Sequence, residues 1–131
     1  MTDKFLVDRR ILVVEDEMLL VLMIEDMLAD FGCEDVVSSG TVPHAIARVN
    51  AQTFDAAMLD MNLGGTDSQP VADALVRAGV PFLYSTGNSG HDTGAGYQGH
   101  PVLKKPFGES DLRAILQELL GGDGASPSVR H

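Results

Sequence analysis

FDAAMLDMNLGG, residues 54–65, carries the pattern from which the fold of this chain can be predicted. An apolar run over residues 56–59 ends in a carboxylate, Asp60, and two glycines follow shortly after. A short apolar run closed by turn residues is typical of a buried strand in a parallel sheet. Ligands of open α/β sheets bind beyond the carboxyl ends of the strands. The sequence therefore places Asp60 where chemistry is expected.

Length and composition favour one globular domain. The chain has 131 residues, of which 44% are hydrophobic and 21% are charged, and a chain of this size can bury its own core. Because we find neither a membrane-length apolar run nor a signal-peptide pattern, we expect no membrane association. The single cysteine, Cys33, favours a reducing, cytoplasmic location. A net charge of −10 without a basic patch argues against direct nucleic-acid binding.

Apolar runs and helical periodicities alternate along the chain. Short apolar runs predict five strands, at residues 11–14, 36–37, 56–60, 80–84 and 102–103. Helical spacing predicts helices at residues 18–31, after a cap at Thr41, at 67–78, and from Ser110 or Asp111 to Leu120. In the first of these helices, the spacing places Met23 on the apolar face that should pack on the core. This alternation implies right-handed βαβ crossovers. The predicted fold class is α/β, a flavodoxin-like doubly wound five-stranded parallel sheet with strand order 2-1-3-4-5.

Residues 87–101, GNSGHDTGAGYQGHP, depart from the pattern. The crossover helix between the fourth and fifth strands should fall here, but the segment carries glycines at positions 87, 90, 94, 96 and 99 and no apolar stripe. Each glycine inside a helix costs about 1 kcal/mol relative to alanine. We therefore expect the fourth helix to be short or disordered. We also expect a domain over residues 1–121 and a disordered tail over residues 122–131.

Polar side chains follow four strands at one edge of the predicted sheet. They are Glu15 and Asp16 after the first strand, Asp60 at the end of the third, Thr86 after the fourth and Lys105 after the fifth. Because the first and third strands are neighbours in this order, the three carboxylates should converge. Carboxylates that close repel one another unless a cation intervenes. Oxygen ligands of this kind suit Mg²⁺.

The same cleft has the groups that phosphoryl transfer needs. The backbone carbonyl of Asn62, just past the turn, is a reasonable further ligand for Mg²⁺. Lys105 brings an ammonium group, and Thr86 brings a hydroxyl beside the small Gly87. Metal, ammonium and hydroxyl would neutralise the phosphoryl oxygens while Asp60 attacks in line. The sequence therefore predicts that Asp60 is a phosphoryl acceptor.

Plainer explanations exist for each residue alone. Asp60 could cap the turn that follows its strand. Glu15 and Asp16 could be first-turn acids favoured by the helix dipole. The four histidines show no metal-ligand spacing and are interpreted as surface residues.

Four motifs together resemble those of response-regulator receiver domains of two-component signalling. They are ILVVEDE (11–17), LDMNLGG (59–65), STG (85–87) and KKPF (104–107), in this order and each at a strand end. The resemblance covers residues from about 8 to 120. It selects Lys105, which directly precedes Pro106, and leaves Lys104 as a solvated neighbour. In receivers the peptide bond before this proline is often cis.

The resemblance implies a phosphorylation-dependent signalling switch. Asp60 would receive a phosphoryl group from a sensor histidine kinase or a histidine phosphotransfer protein. Glu15, Asp16 and Asp60 would hold Mg²⁺, while Thr86 and Lys105 would bind the phosphoryl oxygens. The output would be a changed protein-binding surface. Self-catalysed phosphorylation and dephosphorylation would be the only chemistry, so the chain is not expected to be an enzyme in the ordinary sense.

Besides the glycine-rich segment in place of the usual fourth helix, the chain departs from the receiver pattern near the lysine. Receivers commonly carry an aromatic residue three positions before the lysine, where this chain has Val102. Tyr84 is a candidate substitute. Residues 84–87, YSTG, resemble an aromatic-x-Thr-Gly subfamily whose members are often small regulators paired with sensor histidine kinases.

Two other functions remain open from the sequence. The chain could be a protein-interaction module that ignores phosphate. It could also be a small aspartyl-phosphate phosphatase, although those hydrolases place a second aspartate two residues after the nucleophile, and Asn62 stands there. About ten residues follow the last predicted helix, so we expect either a stand-alone regulator or part of a larger protein.

Overall fold

The computed structural model describes residues 4–87 and 97–121, in which strands and helices alternate. The strands are β1 (Arg10–Val14), β2 (Asp35–Ser39), β3 (Ala56–Asp60), β4 (Asn62–Leu63), β5 (Thr66–Asp67), β6 (Phe82–Thr86) and β7 (Val102–Lys104). The helices are α1 (Met18–Asp30), α2 (Val42–Ala51), α3 (Gln69–Ala78) and α4 (Glu109–Leu119). In the described ranges, no helix is long and apolar enough to cross a membrane.

A five-stranded parallel sheet organises the domain. Its order is β2-β1-β3-β6-β7, which is the order 2-1-3-4-5 expected for a doubly wound sheet and confirms the predicted fold class. β1 and β3 pair in register, with Val14 opposite Leu59, so their carboxyl ends lie side by side. The strand order reverses at this pair, and such a switch point opens a crevice at the sheet edge.

The sheet separates two apolar layers. Residues of β1 alternate between them, because successive side chains of a strand point to opposite faces. Leu12 and Val14 pack in the layer that contains α2 and α3, whereas Ile11 and Val13 pack in the layer of α1 and α4. β3 is buried along its whole length, as expected for a central strand covered on both faces.

A small hairpin follows β3 and was not predicted from the sequence. β4 pairs antiparallel with β5, with Leu63 opposite Thr66. Gly64 and Gly65 form the connecting turn with φ values of 58° and 91°, a combination that strongly favours glycine. The glycines were expected to end regular structure, but they instead join two short strands.

The hairpin also explains why α3 begins later than predicted. Asp67, the predicted start, belongs to β5, and its carboxylate accepts a hydrogen bond from the Gln69 amide at 2.9 Å. α4 differs in a similar way. Its N-cap residue is Gly108, whose amide donates to the Asp111 carboxylate at 3.0 Å. Neither Ser110 nor Asp111 is therefore the N-cap, since both lie inside the first turn.

The prediction of a short or disordered fourth helix concerns mainly residues 88–96, which lie outside the described residues, as does the predicted tail over residues 122–131. Within the described part, Tyr97 and His100 exchange backbone hydrogen bonds of 2.8 and 2.9 Å across a tight turn. The His100 ring stacks on Phe82 with a centroid separation of 4.0 Å. His100, which was interpreted as a surface residue, is therefore half-buried, with one face of its ring packed on the core.

One face of α1 leaves apolar side chains exposed. The buried residues of the helix are Val21, Ile24 and Leu28. We call the exposed group the α1 apolar surface, and it consists of Met18, Leu19, Leu22 and Met23. Met23 was predicted to face the core, but its side chain is 51% exposed. This surface requires an explanation beyond folding, because clustered exposed apolar residues mark interaction sites.

A leucine pair within α1 tests this assignment of faces. Leu28 is fully buried, whereas Leu19 is 78% exposed. Leu28→Ala should lower the free energy of unfolding by about 2–5 kcal/mol, because it removes core contacts and leaves a cavity. Leu19→Ala should change it by less than about 0.5 kcal/mol. Urea unfolding of both variants measures the difference, and equal losses would contradict the described packing.

Candidate functional site

The carboxyl ends of β1 and β3 bring three predicted site residues together. Glu15 and Asp16 directly follow β1, and Asp60 is the last residue of β3. One carboxylate oxygen from each of them lies within 4.8 Å of the others. Glu15 and Asp60 are buried, whereas Asp16 is exposed. The cluster is therefore open to solvent on the Asp16 side.

Lys105 connects two of these carboxylates. Its Nζ atom lies 3.0 Å from Glu15 Oε1 and 3.1 Å from Asp60 Oδ2. Glu17, which the sequence did not assign to the site, approaches the same Nζ at 3.9 Å, but its side chain is largely exposed. The peptide bond between Lys105 and Pro106 is cis, in keeping with the resemblance to receivers.

Burial and charge shape the titration of this group. Burial raises the pKa of Glu15, and the Asp60 charge adds to the rise, although bonds from the Glu17 amide and Lys105 oppose it. Burial alone would lower the pKa of Lys105, but its bonds with Glu15 and Asp60 outweigh burial and raise that pKa. Lys105 therefore stays charged, and it partly offsets the repulsion between the carboxylates.

Thr86 ends β6 beside this cluster. Ser85 pairs with Asp60 in the parallel sheet, so Thr86 lies one residue further toward the carboxyl ends of the strands. Its backbone carbonyl accepts a hydrogen bond from the Lys105 amide at 2.8 Å. The structure thus places the predicted threonine and lysine on adjacent strand ends.

A cavity of about 290 Å³ opens next to Thr86. Its lining consists of Met61, Asn62, Gly65, Asp67, Ser68, Gln69, Tyr84, Thr86 and Tyr97. Tyr97 was not singled out from the sequence, because it lies in a glycine-rich segment without periodicity that could orient it. The cavity connects the surroundings of the acidic cluster with the turn at residues 97–100.

Tyr84 lies buried on β6 at the base of this cavity. It pairs with Val102 in the sheet, so it neighbours the position where receivers commonly carry an aromatic residue. Its ring meets Tyr97 edge-on at a centroid distance of 5.2 Å, and its hydroxyl donates to Gln98 Oε1 at 3.4 Å. Burial, with a smaller contribution from Tyr97, raises the pKa of Tyr84 to about 12.

The donor set of the cluster fits a magnesium ion. Three carboxylates face one another and only one ammonium group, Lys105, is paired with them in the described part of the chain. The local charge therefore remains negative, which favours a cation. Carboxylate oxygens are the ligands that Mg²⁺ prefers. The backbone of Asn62 borders the same group, since its amide donates to Asp60 Oδ1 at 3.1 Å.

A doubly wound α/β domain with an acidic cleft at its switch point, and with a lysine and a threonine on the next strand ends, has the architecture of a receiver domain. Residues 11–117 match the family model of the response regulator receiver domain. The chain therefore belongs to this family, the receiver domains of two-component response regulators. Receiver domains generally bind Mg²⁺ at such an acidic pocket and generally pair with sensor histidine kinases or phosphotransfer proteins.

Individual relatives agree with this assignment. Transcriptional regulatory protein TcrA of Mycobacterium tuberculosis is 37% identical over 116 residues, which cover 84% of this chain and 45% of TcrA. The chain thus matches less than half the length of this relative. The solution structure of SdrG from Sphingomonas melonis Fr1 is 42% identical, with a TM-score of 0.74, covering 86% of this chain and 96% of SdrG.

A third relative is described with its metal. The receiver domain of the sensor histidine kinase PA1611 from Pseudomonas aeruginosa was crystallised with a magnesium ion coordinated in its active-site cleft. It is 27% identical, with a TM-score of 0.74, and the match covers 86% of this chain and 98% of that domain.

Two adjacent lysines test the electrostatics of the cluster. Lys105→Gln should lower the free energy of unfolding at pH 7 by about 1–3 kcal/mol, because Glu15 and Asp60 lose their charged partner. Lys104→Gln should have little effect, since Lys104 is exposed. Urea unfolding of both variants measures the contrast, and equal effects would contradict the ion pairs described.

The pH dependence of the Lys105→Gln variant follows from the same pairs. The pKa of Lys105 is raised above the ordinary lysine value of 10.5. Its contribution to the free energy of unfolding of the parent chain is therefore independent of pH below about pH 10.5. The pKa of Glu15 is already raised and should rise further without the ammonium group. Because a raised carboxyl pKa favours the folded state as pH falls, the stability deficit should shrink between about pH 7 and about pH 5. A deficit that grows over this window would contradict the account.

Proposed function

We propose that this receiver domain is a phosphorylation-dependent switch in which Asp60 accepts a phosphoryl group in a Mg²⁺-dependent reaction. The observation that carries the proposal is the environment of the Asp60 carboxylate. Lys105 Nζ lies 3.1 Å from Oδ2, and the Asn62 amide donates to Oδ1 at 3.1 Å. Two further carboxylates lie within 4.8 Å. These contacts orient a nucleophile at the mouth of the cleft.

The reaction is an in-line displacement at phosphorus. An Asp60 carboxylate oxygen forms the new O–P bond as the N–P bond to the donor's phosphohistidine breaks. The imidazole leaves with the bonding electron pair. The Lys105 ammonium group, which lies beside the Asp60 carboxylate, would pair with the negative charge on the phosphoryl oxygens. The Thr86 hydroxyl would donate a hydrogen bond to one of these oxygens. Hydrolysis of the acyl phosphate returns Asp60, so no separate substrate is turned over.

Glu15, Asp16, Asp60 and the backbone carbonyl of Asn62 would hold the metal ion. Bound Mg²⁺ would neutralise charge on the phosphoryl oxygens and on the crowded carboxylates. The oxygen donor set of the cluster supports this proposal, as does the magnesium ion in the cleft of the PA1611 receiver domain.

A groove beside the site supports docking of the phosphoryl donor. It has a volume of about 440 Å³ and is lined by Glu17, Leu19, Leu20, Met23, Lys105, Pro106 and Phe107. It therefore joins the α1 apolar surface to the lysine of the site. A sensor histidine kinase or a histidine phosphotransfer protein bound there would present its phosphohistidine to Asp60. The unpaired, buried Cys33 suits the reducing cytoplasm in which we place this exchange.

The output of the switch would be a changed protein-binding surface. Thr86, which would bind the phosphoryl group, lines the same cavity as Tyr84 and Tyr97. Movement of the threonine toward a new phosphoryl group would alter the packing of these rings, because closely packed side chains do not deform independently. The turn at residues 97–100 would carry that change to the surface.

Phosphorylation of Asp60 is tested directly by intact mass. Incubation with Mg²⁺ and a small phosphoryl donor should add one phosphoryl group to the parent chain. Asp60→Asn should abolish the addition, because the amide lacks a nucleophilic carboxylate. Asp73→Asn, an exposed position on α3, should leave it unchanged.

If both variants still gain one phosphoryl group, the acceptor is a residue other than Asp60. A parent chain that takes up no phosphoryl group, but binds a partner equally before and after Asp60→Asn, would favour an interaction module that ignores phosphate. Steady release of phosphate from an added phosphomonoester would favour a phosphatase.

The docking groove is tested by comparing protein and small-molecule donors. Replacing Leu19 and Met23 with serine should slow phosphoryl transfer from a histidine kinase at least tenfold, because it removes apolar contacts with the donor. The rate with a small donor should stay within about twofold, since these residues do not touch Asp60. Val76→Ser, an exposed apolar position on α3, is the control. Equal slowing with both donors would contradict docking at this groove.

A further inference from the structure

We propose that the Asn62 side chain is a positioning residue for the metal-binding cleft. It would fix the β4–β5 hairpin so that the backbone amide and carbonyl of Asn62 itself both face the acidic cluster. The proposal rests on the proposed function, because it assigns a role toward the same Mg²⁺ site. It concerns the side chain of Asn62, whereas the site described above uses only the backbone of that residue.

The side chain of Asn62 closes the turn of the hairpin. Its Oδ1 atom accepts a hydrogen bond from the Gly65 amide at 2.7 Å. Gly64 and Gly65 both have positive φ values, and such a turn is conformationally costly to order because glycine loses more backbone freedom than other residues. The bond therefore stabilises a turn that its own sequence makes flexible.

Strand geometry determines where the Asn62 backbone points. In a hairpin with a two-residue turn, the pair that closes the turn, Leu63 and Thr66, is the hydrogen-bonded pair. The next pair, Asn62 and Asp67, is then non-hydrogen-bonded, so the amide and carbonyl of Asn62 point away from the partner strand. The amide donates to Asp60 Oδ1 at 3.1 Å. Because the amide and carbonyl of one strand residue point to the same edge, strand geometry directs the carbonyl toward the same cleft.

The tip of the hairpin is held by the backbone pair Leu63–Thr66 and by the Asn62 side chain, whereas the remaining contacts hold its base. Leu63 is buried in the core, and the Ser68 amide donates to the Met61 carbonyl at 3.3 Å. The tip approaches the metal-binding carboxylates, since a Cβ atom placed on Gly64 would lie 3.5 Å from Asp16 Oδ2. A loosened tip would therefore disturb both the Asn62 backbone and the space available to Asp16.

The test compares variants that remove or keep the side-chain acceptor. Asn62→Ala removes it, Asn62→Asp keeps an acceptor oxygen in the same place, and Asn50→Ala alters an exposed asparagine on α2. Mg²⁺ affinity is measured by calorimetry on the unphosphorylated chain, and hydrogen exchange of the Gly65 amide is measured by NMR. Urea unfolding shows whether each variant is folded.

Asn62→Ala should weaken Mg²⁺ binding about three- to tenfold, the range that loss of one such hydrogen bond supports. Exchange at the Gly65 amide should accelerate in the same variant. In Asn62→Asp, the Gly65 amide should exchange as slowly as in the parent, because the acceptor oxygen is kept. This variant should bind Mg²⁺ at least as well as the parent, because it adds negative charge. Asn50→Ala should match the parent in both measurements.

Mg²⁺ affinity within twofold of the parent in a folded Asn62→Ala variant would overturn the proposal, even if exchange at Gly65 accelerated. Fast exchange at the Gly65 amide in Asn62→Asp would also overturn the proposal, since the side-chain acceptor would then not be what protects that amide. Both measurements are made without a phosphoryl group. The inference can therefore fail while Asp60 is phosphorylated, and the phosphorylation proposal can fail while the Mg²⁺ result holds.

Discussion

The ion pairs of Lys105 with Glu15 and Asp60 are the contacts on which the functional end of this domain depends. They require two carboxylates from β1 and β3 and one lysine from the strand at the sheet edge to meet in one cleft. A parallel sheet meets this requirement, because all of its strands end at the same edge. The ammonium group does not neutralise the cluster, and the remaining negative charge makes the cleft suited to a cation such as Mg²⁺.

The surroundings of the cleft divide into two sides with different chemistry. On one side, Lys105 adjoins the apolar groove of α1, which suits the docking of a donor protein. On the other side, Thr86 adjoins a polar cavity with two tyrosines. The hairpin after β3 contributes Asn62 and Gly65 to the lining of this cavity. In the proposed switch, donor binding and response would therefore use different surfaces while sharing one carboxylate.

The sheet order and the polar strand ends could be predicted from the sequence because strand and helix periodicities alternate clearly and four of the five strands end in a distinctive side chain. The hairpin could not be predicted, since two-residue strands such as Asn62–Leu63 carry no periodicity. Met23 was misplaced because α1 begins with apolar residues all round, so spacing alone does not identify its core face. The contact of the half-buried His100 ring with Phe82 could not be predicted, because the neighbouring glycines gave no indication of it.

A switch operated through Asp60 can be examined by backbone NMR of the chain with Mg²⁺ and beryllofluoride, which stands in for a phosphoryl group. We expect the amide signals of Asn62, Thr86 and Tyr97 to shift together in the parent chain. We expect Asp60→Asn to remove the response to beryllofluoride at all three positions. Shifts that persist in Asp60→Asn, or a parent chain that does not respond at Thr86, would contradict a switch operated through Asp60.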